Sequence, residues 1–62
     1  MNTEIYYTIR LYDHDTGELK HTVEDIQEHW YKHCCDIYHH LNGYAVKVYD
    51  QTTGDLVYTL GI

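Results

Sequence analysis

Ile9-Arg10-Leu11-Tyr12-Asp13-His14-Asp15-Thr16-Gly17-Glu18-Leu19 returns later in the chain as Val46-Lys47-Val48-Tyr49-Asp50-Gln51-Thr52-Thr53-Gly54-Asp55-Leu56. Each copy carries Tyr-Asp, two variable residues, Thr-Gly, an acid and Leu. The match runs on through Thr22-Val23 and Thr59-Leu60. Two copies are too few for a solenoid, so the repeat marks one structural unit used twice. That unit reads as a β-hairpin. Asp13 and Asp50 can accept backbone N–H groups at the start of each turn. Gly17 and Gly54 supply the positive φ that a type I turn with a glycine bulge requires.

Outward from the turns, apolar residues alternate as half-buried strands demand. One face collects Ile5, Tyr7, Ile9 and Leu11, then Leu19, His21 and Val23. The second hairpin adds Tyr44, Val46 and Val48, then Leu56, Tyr58, Leu60 and Ile62. The opposite, open face receives Tyr6, Thr8, Arg10, Tyr12, Lys20, Lys47, Tyr49, Val57 and Thr59. Between the hairpins the spacing predicts a helix from about Val23 to Leu41. Thr22 and Asp25 resemble a capping box, Glu24 suits the positive end of the helix dipole, and Asn42-Gly43 is a stop signal. Ile26, Trp30, Ile37 and Leu41, with Cys34 beside them, form the stripe expected to lie on the sheet.

The expected fold is therefore α+β: a two-layer ββαββ sandwich. One helix lies on a four-stranded antiparallel sheet made of two pseudo-twofold-related hairpins. The first hairpin spans roughly residues 3–22, the helix 23–41 and the second hairpin 44–62. The repeat leaves open whether the first and third strands, or the second and fourth, are central neighbours.

Sixty-two residues allow one domain. A domain of this size buries only about 60% of the surface of its unfolded chain, so its stability is marginal. Ten acidic residues face four basic ones, giving a net charge of −6 with histidine neutral. Such a chain is repelled by phosphate backbones and attracted to basic partners. Cys34 and Cys35 are adjacent and make no disulfide framework. Met1-Asn2-Thr3-Glu4 has neither a basic region nor an apolar run, so no secretory signal is expected. The expected location is the cytoplasm, or the host cytoplasm if a phage encodes the chain.

Three surfaces could carry function. The turns and the segment after Thr22 hold Asp13, Asp15, Glu18, Asp50, Asp55, Glu24, Asp25 and Glu28. These acids can imitate nucleic-acid phosphates and occupy a basic groove, with Tyr12 and Tyr49 as anchors beside the tips. In size and charge the chain resembles phage-encoded anti-restriction and anti-CRISPR inhibitors. The resemblance is one of composition and involves no shared motif. It implies a protein partner, a basic nucleic-acid-handling enzyme, with no direct nucleic-acid or membrane contact.

The second surface is the open face, where Tyr6, Arg10, Tyr12, Lys47 and Tyr49 could join two copies as a structural homodimer. The third is a histidine stripe, with His29, His33, Asp36 and His40 at i, i+4, i+7 and i+11. A single pair from it could hold zinc, but four ligands over three turns cannot close on one ion. No metal or cofactor is expected. Asp13 to Glu18 superficially resembles a calcium loop but lacks its remaining ligands. Catalysis would need an activated thiol. Cys34 reads as core-facing and Cys35 as exposed, with no oxyanion donor in view, so no enzymatic activity is expected.

Overall fold

The computed structural model describes residues 5–61. Its elements are β1 (Tyr6–Tyr12), β2 (Leu19–Gln27), α1 (Tyr31–Asn42), β3 (Ala45–Asp50) and β4 (Leu56–Leu60). The strands form one antiparallel sheet in the order β2-β1-β3-β4, with the helix on one side. The chain is thus an α+β protein of ββαββ order, with the first and third strands as central neighbours.

The β1–β3 seam carries the repeat symmetry in its register. Arg10 stands opposite Lys47, Thr8 opposite Tyr49 and Tyr12 opposite Ala45. Arg10 and Lys47 are equivalent residues of the two copies, so the pseudo-twofold axis passes between them. The core sits on the helix side of this seam. Ile9, Val46 and Val48 are wholly buried there, with Leu11, Tyr7 and Cys35. Such central strands, covered on one face and flanked by neighbours, hold the β-branched residues that pack well on a pleat.

The turns follow the expected chemistry closely. Asp13 Oδ1 accepts N–H bonds from Asp15 at 2.8 Å and Thr16 at 3.0 Å. Asp50 Oδ1 does the same for Thr52 at 2.7 Å and Thr53 at 3.2 Å. Gly17 and Gly54 have φ of +77° and +79° and return their N–H groups to the Asp13 and Asp50 carbonyls. The strand irregularity lies beyond the glycines, however. In both hairpins one extra residue, Lys20 or Val57, interrupts the register, and Leu19 and Leu56 come to stand opposite Tyr12 and Tyr49. Leu19 and Leu56 therefore leave the inner face to which alternation assigns them, and both are exposed. Ile62 lies outside the described residues.

The helix departs most from expectation. Val23–Gln27 is strand, and α1 begins at Tyr31. Tyr7 pairs with Ile26 and Ile9 with Val23, so the first hairpin continues where a helix start was expected. Asp25 does not cap a helix. It sits in a bulge opposite Thr8 with φ of +60°, a conformation Asp tolerates better than most residues. Trp30 precedes the helix and makes no side-chain cap. The C-terminal stop is as expected: Gly43 is left-handed at φ +72°, and its N–H bonds to the His39 carbonyl.

The inward face is also rotated from the expected stripe. Cys35 is buried, and Tyr31, Cys34 and Tyr38 pack on the core. Ile37, Trp30 and Leu41 instead remain 40%, 50% and 78% exposed. No helix among the described residues is long and apolar enough to cross a membrane.

Candidate functional site

Antiparallel pairing of β1 with β3 sends the two turns to opposite ends of the sheet, since Tyr12 stands by Ala45 and Tyr7 by Asp50. The molecule extends 43 × 20 × 16 Å. Asp13, Asp15 and Glu18 therefore mark one end, and Asp50 and Asp55 the other. Glu18 is partly neutralised by Lys20 at 3.5 Å, an exposed pair that contributes little.

The second end gathers more acid than its turn alone supplies. The Asp25 N–H donates to Gln51 Oε1 at 2.6 Å, and Gln51 Nε2 donates back to Asp25 Oδ1 at 3.2 Å. This reciprocal clasp fastens the bulge of β2 to the turn of the second hairpin. Gln51 also donates its backbone N–H to the Tyr6 carbonyl at 3.0 Å. Asp25 thereby joins the turn of Asp50 and Asp55, with Glu24 and Glu28 beside it in the chain. The Tyr7 hydroxyl registers the crowding: its pKa is raised, first by burial and then by the charges of Glu28, Tyr31 and Asp50. The first copy of the repeat has His14 where the second has Gln51, so only the second turn carries this amide.

Asp13 and Asp50 are committed to their own turns. Asp13 and Asp50 each spend one carboxylate oxygen on two N–H groups of their own turn. The Thr16 backbone N–H, followed by that of Asp15 and the charge of Lys20, holds the Asp13 carboxyl below its usual range. Asp15, Glu18 and Asp55 are exposed, as are Glu24, Asp25 and Glu28.

The open face brings Arg10, Tyr12, Lys47 and Tyr49 together. Arg10 and Lys47 are directly opposite, an unfavourable placement for like charges. Each escapes along the diagonal. The Arg10 guanidinium carbon lies 4.8 Å from the Tyr49 ring centroid, and Lys47 Nζ lies 5.3 Å from that of Tyr12. The two contacts are pseudo-twofold mates, each within cation–π range. Tyr6 is half-buried at the far end of β1. At the first turn, Tyr12, His14, Ala45 and Lys47 help line an open depression of about 300 Å3.

Neither protein-family models, curated proteins nor solved structures give a match to this chain.

The histidine stripe is shorter than its spacing predicts. His29 lies in the turn before α1 and stacks beside Trp30 at 5.5 Å, leaving only His33, Asp36 and His40 on the helix. Among the described residues, no group of three or more His, Cys, Asp or Glu side chains could hold a metal ion. The thiols exchange their expected places. Cys35 is the buried one, its pKa pushed up to about 12, chiefly by burial, and Cys34 is half-buried. A thiol so disfavoured as thiolate is a poor nucleophile near neutral pH.

Proposed function

We propose that this chain is a protein-binding module that acts by occluding a basic surface, and that it has no chemistry of its own. The partner class is a basic nucleic-acid-handling enzyme. The contact is the end where Asp25 and Gln51 clasp. The observation that carries the reading is the clasp itself, which ties Asp25, with Glu24 and Glu28 beside it in the chain, to the turn that carries Asp50 and Asp55. Fixed carboxylates of one sign steer a basic partner and need little ordering on contact. The opposite end has three acids, Asp13, Asp15 and Glu18, and Lys20 pairs with Glu18 there.

The alternative is a homodimer through the open face. It has less support, because Arg10 and Lys47 already rest on Tyr49 and Tyr12 within one chain.

A tagged pull-down from a host lysate, washed at low and high salt and read by mass spectrometry, tests the proposal. The expected result is a nucleic-acid enzyme held at low salt and released at high salt. The triple change Glu24→Lys, Glu28→Lys and Asp55→Lys should abolish that capture, whereas Asp15→Lys at the other end should weaken it only modestly. Equal retention by the triple variant and the unmodified chain removes the electrostatic argument.

A further inference from the structure

The two edges of the sheet are built differently. β2 carries Lys20, Glu24 and Asp25, with a register break at Lys20 and a bulge at Asp25. Charges and bulges of this kind keep an edge from pairing with another strand. β4 holds no charged residue and no proline, and its register breaks only at Val57. Beyond that break the pairing is plain: Tyr58 stands by Val48, Thr59 by Lys47 and Leu60 by Val46.

The ladder shows which groups β4 turns outward. The Gln51 N–H donates to the Tyr6 carbonyl, on the β1 side, and the Asp50 N–H donates to the Asp55 carbonyl, on the β4 side. Successive residues of an antiparallel strand bond to alternate sides. Tyr49 and Lys47 therefore bond toward β1, and Val48 and Val46 toward β4. Thr59, opposite Lys47, aims its own N–H and C=O away from β3, off the edge of the sheet. Backbone groups displayed in this way are matched by another strand.

Charge on the helix says which strand. Lys32 lies over the Tyr58 ring at 5.8 Å, and the His39 ring stands against Gly61, so α1 runs along β4. Asp36 is one turn beyond Lys32 and about 40° round from it, on the same flank and about 6 Å further along. At about 3.3 Å per strand residue, that brings Asp36 level with Leu60. A twofold axis through Thr59 would set Tyr58 of one copy against Leu60 of another. Lys32, level with Tyr58, would then come level with the other copy's Asp36, and the reverse.

We propose that a second copy of this chain pairs with β4, antiparallel about Thr59, so that two four-stranded sheets become one with both helices on the same side. The two Thr59 residues exchange backbone N–H to carbonyl bonds, and Lys32 meets Asp36 twice. The contact is isologous and closes at two copies. Two chains of net charge −6 repel, but Asp55 is the only acid from Gln51 to Gly61. The axis holds the two Asp55 residues about 26 Å apart along the strands, well beyond the Debye length of about 8–10 Å. The inference is independent of the acidic-end reading and uses neither Arg10 nor Tyr49.

Sedimentation velocity and amide hydrogen exchange by NMR are measured together from micromolar to millimolar chain. The expected result is a doubling of mass, with exchange at the Thr59 amide slowing in step and the amides of β2 keeping their rates. Thr59→Lys sets two cations face to face on the axis and should raise the dimer Kd by about tenfold or more. Thr59 is exposed, so the single chain keeps its fold and its circular dichroism. Lys32→Glu alone should raise the Kd about fivefold, and Lys32→Glu with Asp36→Lys should restore it by re-forming both pairs. The proposal stands only if Thr59→Lys weakens the dimer and the charge swap rescues it. Any other pattern, including a monomer at every concentration or slowed exchange on β2 in place of β4, overturns it.

Discussion

The two hairpins have nearly the same turn and very different surroundings. Asp13 and Asp50 make the same N–H bonds, Gly17 and Gly54 the same left-handed step, and Lys20 and Val57 interrupt the register at the same place. Yet β2 runs for nine residues and β4 for five. The second turn is clasped to the other hairpin through Gln51, whereas the first has His14, which is exposed. The helix packs on β3, β1 and β4, and a groove lined by His21, Val23, Tyr38 and Tyr44 opens at one end of β2. Local sequence thus sets a turn, while the positions outside the repeat decide what that turn is used for.

The largest effect should come from the shared centre. Ile9 in β1 is wholly buried, so Ile9→Ala should cost about 2–5 kcal/mol in urea unfolding. Leu19→Ala and Leu56→Ala, at side chains about half exposed, should cost a small fraction of that and match each other. A large difference between these two leucines would break the equivalence of the outer strands.

A smaller effect should separate the two turns. Gln51→Ala loses the reciprocal bonds to Asp25 and should cost about 0.5–1.5 kcal/mol, while His14→Ala should lie within about 0.5 kcal/mol of neutral. Equal costs at both positions would mean that the clasp does not stabilise the fold.

The finest distinction is in pH. The Asp13 carboxyl is lowered in the folded chain, so its stabilising effect is fully present above the unfolded value. That effect is lost as pH falls through the lower, folded value. Titration of Asp13 by NMR should give a midpoint below 3.8. Asp13→Asn keeps an acceptor oxygen and should remove that part of the acid sensitivity without opening the turn. A midpoint at or above the ordinary value would contradict the bonds drawn to Thr16 and Asp15.

Sequence makes the turns legible because their chemistry is local: an acceptor, a hydroxyl and a glycine at fixed offsets. The helix stop at Asn42-Gly43 is legible for the same reason. Val23–Gln27 is not, because Thr22, Glu24 and Asp25 satisfy a helix-start pattern, while the segment's actual partners are distant in sequence: Ile9 for Val23, Tyr7 for Ile26 and Gln51 for Asp25. The helix face was hidden by composition. Tyr31, Cys35 and Tyr38 turn inward in place of the more apolar Trp30, Ile37 and Leu41. The acidic end was legible only in part. Asp50 and Asp55 follow from the turn, but their union with Glu24, Asp25 and Glu28 depends on the length of β2 and the order of strands.

The seam between β1 and β3 has a consequence for how such a chain could arise. Each hairpin contributes one cation and one ring, Arg10 with Tyr12 and Lys47 with Tyr49, and each cation rests on the other hairpin's ring. The seam needs two hairpins but not two different ones. A free hairpin meeting its own duplicate would present two cations and two rings in the same crossed arrangement. The fold is in this sense a symmetric pair tied into a single chain by a helix, and the tie lets the two halves differ, as His14 and Gln51 do at equivalent positions.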